Sequence, residues 1–340
     1  ISYYLTCGEW KNEDIKDILS GLIGGVSVEY YAQDELFNKH DLDNLQLKNT
    51  AVALGVFDAM HLGHLEIIDD VVKYAKENGL KSVVYMFRNI PKSVITNTDI
   101  KNVNLFKKRL HILYERGVDI VVAERFTSEY MKMEYADFIK TYLVEKFDAK
   151  YVCAGFNYHF GYKGLGNTES LKELCGKYGI KVHIAECKAL EKPVSSTLLR
   201  KLIASGEMEE AAKYLGRQFS VTRKVEHGEN IGHKLGFPTA NIQLPDFHVV
   251  PKFGVYITKA KVGGKWYKAI TNVGGKPTVG TNKPCIETYM LDFENDIYGE
   301  EIEIEFYHYL RPISKFENIE ALKKQLAQDK ESARVYFNEK

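Results

Sequence analysis

At 340 residues the chain is long enough for two domains, and 45% hydrophobic with 27% charged residues is the composition of an ordinary globular protein. Lysine plus arginine and aspartate plus glutamate both number 46, and this zero formal charge argues against nucleic acid as the main partner. No apolar run approaches the roughly 20 residues of a membrane span, no signal-peptide pattern opens the chain, and five cysteines without a C-x-x-C pair fit a reducing cytoplasm.

Residues 1–25 carry no functional signal; Ile15, Ile18, Leu19 and Leu22 are spaced for a short amphipathic helix ended by Gly24-Gly25. From about residue 50 to 186 apolar strand-like runs alternate with helical patterns. The strands are expected at Ala51–Val56, Ser82–Phe87, Val118–Ala123, Lys150–Ala154 and Lys181–Ala185. Helices are expected around Leu65–Lys76, Leu105–Arg116, Ala136–Phe147 and Ser170–Tyr178, with Gly79, Gly117 and Gly179 at C-caps. Such alternation implies right-handed crossovers and a mostly parallel, Rossmann-like α/β sheet, with ligands beyond the carboxyl ends of its strands. Residues 197–215 read as charged helix up to Gly216. After it come β-branched and aromatic segments at Phe219–Val225, Val255–Val262, Trp266–Val273, Ile286–Phe293 and Glu301–Tyr309. Gly263-Gly264 is placed as a hairpin turn and Asn295-Asp296 as the turn of the next pair. An antiparallel barrel or sandwich follows, closed by a helix over Ile319 to Phe337.

The most informative run is Gly55-Val-Phe57-Asp58-Ala59-Met-His61-Leu-Gly63-His64, which joins the first of these strands to a helix. His61 and His64 fall on one face of the helix start, where unpaired N–H groups and the dipole favour phosphate, and Gly63 admits a ligand close to the backbone. Taken alone, an H-x-x-H spacing is better read as a surface pair or chance metal pair. With Gly55, Phe57 and Asp58 at a strand-to-helix switch, it resembles the α/β nucleotidyltransferases that carry a His-x-Gly-His signature. That class holds the triphosphate of ATP with these histidines while another phosphate attacks the α-phosphorus. Val194-Ser195-Ser196-Thr197-Leu-Leu-Arg200 resembles the same class's Ser-Ser-Thr-x-x-Arg motif, a second phosphate site if its hydroxyls do more than cap a helix. Gly155-Phe156-Asn157-Tyr-His-Phe-Gly161 follows the fourth strand, at the edge where an acceptor would lie.

In the barrel half, the run Gly232-His233-Lys-Leu-Gly-Phe-Pro238-Thr239-Ala-Asn241 ends on two oxygen-bearing side chains two apart. These can face one hard cation such as Mg2+, or satisfy local backbone in a well-formed turn. Glu287 stands on an otherwise apolar strand, where an unpaired charge is costly unless the strand lies at an exposed edge. The Pro-Thr-Ala-Asn run closely resembles that of riboflavin kinases. Asn272–Thr278, Ile286–Phe293 and Leu310-Arg311-Pro312 through Phe316 match that family as well.

From about residue 26 to 340 the chain therefore resembles the bifunctional bacterial riboflavin kinase/FAD synthetase family. The resemblance implies an FMN adenylyltransferase domain over 26–205, a linker helix over 206–215 and a riboflavin kinase barrel over 216–340. Riboflavin would be phosphorylated to FMN by ATP, and FMN adenylylated to FAD with release of pyrophosphate. Thr239 and Asn241 would bind Mg2+ and ATP, with Pro238 shaping their loop and Gly228 and Gly232 folding over the phosphates. Glu287 would take the proton of the ribityl 5′-hydroxyl. Asn157 would contact the flavin in the first domain, and Arg311 would lie in a segment closing over it in the second. The implied partners are small molecules only, with neither nucleic acid nor membrane, and self-association is left open. Three residues depart from the family pattern: Ala59 for Gly, Ile90 for His before Pro91, and His233 for Arg. The first two predict slower FAD than FMN formation, with a kinase whose adenylyltransferase half is weakened or lost as the alternative. A nucleotidyltransferase for another acceptor and a flavin-binding module without turnover are the rival readings.

Overall fold

The computed structural model describes residues 2–5, 46–187, 190–227, 237–275 and 284–338. The chain forms two compact units, one of residues 1–100 and 106–194, the other of residues 101–105 and 195–340.

The first unit is built on six parallel strands: β1 (Ser2–Leu5), β2 (Thr50–Leu54), β3 (Lys81–Phe87), β4 (Ile120–Glu124), β5 (Ala149–Gly155) and β6 (Lys181–Ala185), in the order β1-β4-β3-β2-β5-β6. All five residues of β2 are buried, as in a strand covered on both faces. On one face Ala51 and Ala53 meet Leu65, Ile68 and Val71 of α1 (Leu62–Asn78), together with Leu110 and Leu113 of α3 (Phe106–Glu115). On the other, Val52 and Leu54 share a cluster with Phe138, Tyr142, Leu143 and Leu171. A short helix, α2, occupies Pro91–Thr96. The helix expected over 136–147 is α4 (Tyr135–Phe138), which runs on as a π-helix through Ile139–Lys146. Next comes α5 (Thr168–Lys177). Connection order reverses at β2, which has β3 on one side and β5 on the other. The loops after β2 and β5 therefore flank the crevice where such sheets bind ligands. Both candidate loops of the first domain, His61/His64 and Asn157, start from these two strands. The short helix expected inside residues 1–25 lies outside the described residues; the parallel pairing of Ser2–Leu5 with Ile120–Ala123 was not foreseen.

The second unit opens with α6 (Ser196–Ser205) and α7 (Met208–Leu215), separated at Gly206, whose φ of 83° stops the single helix expected over 197–215. Residues 196–205, assigned from sequence to the end of the first domain, group with this unit. Arg200 Nε donates to Lys101 O at 2.6 Å, and the 101–105 segment is itself tied to residues 246–249 through Asn102 and Lys101. α7, expected as a linker, buries Met208, Ala211, Tyr214 and Leu215 and contacts the first and last barrel strands.

Those strands are β7 (Phe219–Lys224), β8 (Ala240–Gln243), β9 (Gly254–Val262), β10 (Lys265–Gly275), β11 (Pro284–Met290) and β12 (Glu301–Arg311), in the order β7-β12-β9-β10-β11-β8. All pairings are antiparallel, and a bridge between Glu226 and Asn241 joins the two ends into a nearly closed barrel. Gly263-Gly264 turns the β9–β10 hairpin as expected. Asn295-Asp296 does not turn a pair: β12 lies between β7 and β9, so residues 291–300 are a crossing connection rather than a hairpin. Inside, the hydroxyls of Thr258, Thr271 and Thr288 form a fully buried chain with contacts of 2.8 and 2.9 Å, so each polar atom is satisfied. The final helix, α8 (Ile319–Asn338), packs Ala333 into a cluster with Val255, Ile257, Ile270 and Leu291.

His248 is a buried polar group with a pH consequence. Its Nδ1 donates to Val249 O at 2.7 Å, and burial, with Arg223 nearby, pushes its pKa down to about 4. An unfolded histidine titrates near 6.5, so below that pH the unfolded chain gains a proton that the folded one refuses. The stability that neutral His248 contributes is therefore present above about pH 6.5 and lost as the pH falls toward 4, by on the order of 3 kcal/mol. Urea unfolding of wild type and His248→Asn across that window should show the steeper decline in wild type; parallel curves would exclude the effect.

Candidate active sites

At the end of β2 the chain makes a strained passage into α1. Phe57 and Met60 adopt left-handed backbone, with φ of 49° and 48°. Phe57 folds its ring back over Gly55, where a Cβ would lie 2.8 Å from Phe57 Cζ, so a side chain at 55 would expel the ring. Ala59 sits between the two strained residues with an ordinary backbone and is fully buried. Its methyl therefore adds no conformational strain to the turn. His61 is the N-cap of α1: its Nδ1 accepts the His64 backbone N–H at 3.2 Å. A neutral ring that accepts at Nδ1 carries its proton on Nε2, which leaves Nε2 a donor. The rings of His61 and His64 stack at 3.7 Å and 18°, and Phe57 meets His64 edge-on at 5.2 Å. Gly63 lies between them in the first turn. The arrangement is a rigid pair of imidazoles at a helix N-terminus, suited to an anion.

Asp58 is buried, and its charge opposes the desolvation of Arg109, whose pKa falls to about 10 in the sheet's interior. The Arg109 guanidinium donates to Val56 O (3.4 Å), Phe87 O (2.9 Å) and Arg88 O (2.8 Å), tying together the chain just beyond β2 and β3. Sequence reading missed this residue, although a signal was present. Phe106, Leu110 and Leu113 make an apolar stripe on α3, and Arg109 occupies the same face, where a charge requires a partner. Ile90, the departure from a polar family residue, is a buried N-cap to α2 with Pro91 at N1; it offers no side-chain cap. Beyond β5, Asn157 is exposed, with its Oδ1 close above Gly155. The aromatics of this loop divide: Tyr158 and Phe160 stack on each other within the core, whereas Phe156 stays half-exposed.

In the second unit, Ser195 caps α6 by accepting the Leu198 N–H at 3.2 Å. The hydroxyls of Ser196 and Thr197 are therefore not spent on that cap, and Arg200 follows one turn later. On the barrel, Glu287 is neither edge-placed nor fully buried: β11 runs between β10 and β8, and the carboxylate is half-buried. Its register partners are Asn272 on β10 and Asn241 on β8, so three polar side chains form a row on one face of the sheet. Asn241 is buried, and its Nδ2 donates to Thr239 O at 3.2 Å and lies 3.4 Å from the Thr239 hydroxyl, just after the exposed Pro238, while its Oδ1 faces Cys285 Sγ. Hydroxyl and amide oxygens are hard donors of the kind Mg2+ takes, so the donor types of Thr239 and Asn241 suit the ion the sequence implies. Gly228 and Gly232 lie outside the described residues.

Arg311, the last residue of β12, is held by the final helix. It forms a forked ion pair with Asp329 of α8 (Nε–Oδ1 2.9 Å, Nη2–Oδ2 2.7 Å), and Gln325 also donates to Asp329 Oδ1 at 2.9 Å. Asp329 is almost fully buried, a position that sequence could not reveal because an Asp in a charged helix reads as solvent-facing. Removing one partner of such a pair leaves an uncompensated charge, so Asp329→Ala should cost about 3–5 kcal/mol in urea or thermal unfolding. A loss below about 1 kcal/mol would mean that the pair does not anchor α8.

A parallel sheet with a phosphate-ready histidine pair at its switch point is a nucleotide-transferring architecture, and here it precedes a barrel bearing a carboxylate and hard oxygen donors. Comparison with known proteins agrees with both halves. A family model described as FAD synthetase matches residues 43–198, and one described as riboflavin kinase matches residues 215–337. A Listeria monocytogenes protein named bifunctional riboflavin kinase/FMN adenylyltransferase is 35% identical over 293 residues, covering 85% of this chain and 93% of its own. A Bacillus subtilis protein of the same name is 30% identical, covering 88% and 96%. A solved Streptococcus pneumoniae structure, described as a macrolide-efflux protein, superposes with a TM-score of 0.79 at 30% identity, over 86% of this chain and 96% of that one. The chain belongs to the bifunctional riboflavin kinase/FMN adenylyltransferase family.

Proposed function

We propose that the chain converts riboflavin to FAD in two ATP-consuming steps, with the residues assigned as follows. In the barrel, Glu287 accepts the proton of the ribityl 5′-hydroxyl as that oxygen attacks the γ-phosphorus of ATP; FMN forms and ADP leaves. Asn272 and Asn241, its neighbours across the sheet, keep the carboxylate in a polar row. Mg2+, when held by Thr239 and Asn241, supplies positive charge to the nucleotide's phosphates. Pro238 fixes the approach to these residues, and Gly228 and Gly232 serve the phosphate loop. In the second reaction a phosphate oxygen of FMN attacks the α-phosphorus of ATP, pyrophosphate departs, and FAD results. The histidine pair steadies the triphosphate, and the motif of Ser196, Thr197 and Arg200, by its resemblance to the family's, serves phosphate binding in the same reaction. Gly55, Phe57, Asp58 and Gly63 shape the turn, and Asn157 meets the flavin. No covalent nucleophile is required, because positioning and charge stabilisation carry such transfers. Arg311 contributes to the flavin site by holding α8 against the barrel.

The observation that carries this reading is the stacked pair of His61, which caps α1, and His64, in the same chain as the Asn241–Glu287–Asn272 row. The cytoplasmic assignment, and the absence of nucleic-acid and membrane partners, rest on composition; among the described residues no helix is long and apolar enough to cross a membrane. Isotope position tests the chemistry. Phosphorus label in the γ-position of ATP should enter both FMN and FAD, and label in the α-position should enter FAD alone. Label from the α-position in FMN would refute the scheme.

A further inference from the structure

A second cluster of metal-ligating side chains lies away from the histidine pair. Asp70 comes from α1, Cys153 from β5 and His183 from β6, and β5 and β6 place Cys153 directly beside His183. One donor atom from each lies within 4.8 Å of the others: His183 Nδ1 is 3.2 Å from Asp70 Oδ2 and 3.7 Å from Cys153 Sγ. Tetrahedral zinc, with Zn–N and Zn–O near 2.0–2.1 Å and Zn–S near 2.3 Å, separates its ligands by about 3.3 Å for N and O and about 3.6 Å for N and S. The observed spacings match those edges. Asp70 is also oriented from behind, since the Tyr151 hydroxyl donates to its Oδ2 at 2.6 Å. Tyr151 is in turn stacked on Tyr74 at 3.8 Å and 9°. His183 and Asp70 are partly exposed, so an ion has a path in, and the thiol is buried beneath them. Asp70 follows His64 by six residues, about 9 Å along the helix.

We propose that Asp70, Cys153 and His183 form a zinc site, separate from the adenylyl-transfer machinery, with the fourth position toward solvent. Glu66, one turn earlier on α1, is near enough for its charge to act on Cys153. The charges balance: one carboxylate and one thiolate neutralise Zn2+, and the proton of the Cys153 thiol is released to solvent on binding. A thiolate and an imidazole also select zinc over the Mg2+ required by the reactions, because Mg2+ prefers oxygen donors in an octahedron.

The test uses the full chain stripped of metal by a chelator and then titrated with Co2+, a spectroscopic substitute for zinc. One Co2+ per chain should bind, with a thiolate-to-cobalt charge-transfer band and the strong visible bands of tetrahedral cobalt, and Zn2+ should abolish both. Cys153→Ser should remove the charge-transfer band, and the control Cys187→Ser, at an exposed thiol, should keep it. His183 is half-exposed, so His183→Ala should fold normally, weaken Co2+ binding by more than the roughly 10- to 100-fold that loss of an outer-shell partner costs, and lose the rise in Tm that Zn2+ gives the wild type. A wild type without the charge-transfer band, a band that survives Cys153→Ser, or unchanged binding by His183→Ala would each overturn the site.

Discussion

His64→Ala should arrest the chain at FMN. The imidazole of His64 is clamped between the parallel ring of His61 and the edge of Phe57, so its donor direction is fixed before any nucleotide arrives. Preorganised donors of this kind are worth about 10²–10³ in rate when one is removed, and FAD formation from FMN should fall by that factor. FMN formation, carried by the other unit, should stay within about twofold of wild type. His64 is the cleaner of the two positions to change. His61→Ala would also remove the helix N-cap and about 1 kcal/mol of stability, mixing a folding defect with a catalytic one. Unchanged FAD formation by His64→Ala would remove the histidine pair from the mechanism.

Glu287→Ala should show the converse. The carboxylate stands mid-barrel with an asparagine on either side, and neither amide can take a proton in its place. Loss of a positioned general base typically costs about 10²–10⁴, so FMN formation from riboflavin should fall into that range. Supplied FMN should still be converted to FAD at the wild-type rate. Glu287→Gln separates charge from shape: if it is as impaired as the alanine variant, the proton-accepting role stands; if it is nearly as active as wild type, Glu287 is structural.

Much of the first unit was legible because its order is local. Buried parallel strands write themselves as continuous apolar runs, and left-handed Gly79 and Gly179 close α1 and α5 where glycine was expected. The strand-to-helix position of His61 and His64 followed from the same pattern. What stayed hidden depends on distant partners. Ser2–Leu5 pairs with a strand more than a hundred residues away, and four-residue β8 has too little sequence to show a period. The connection at Asn295-Asp296 has the chemistry of a turn, yet hydrogen-bonding order places β12 beside β9, which no local signal specifies. The left-handed backbone of Phe57 and Met60 was invisible for a related reason, since neither residue type advertises positive φ. Arg109 could be suspected as a charge on an apolar helix face, whereas Asp329 in a charged helix could not; in both cases the groups that neutralise the charge come from elsewhere in the fold.

Ala59 was expected to slow FAD formation by crowding the phosphate turn. Its ordinary backbone removes the conformational part of that concern, leaving only the contact of a buried methyl. Ile90 is buried and makes no side-chain hydrogen bond, so the expectation of slower FAD formation now rests chiefly on this position, and the measured rates of the two steps decide it.

The most direct test is a chromatographic time course of riboflavin, FMN and FAD, with the purified chain, ATP and Mg2+. FMN should rise first and then give way to FAD, with one pyrophosphate released for each FAD formed. Riboflavin consumed to FMN with no FAD, or FAD appearing without pyrophosphate, would contradict the assignment of two transfer reactions to this one chain.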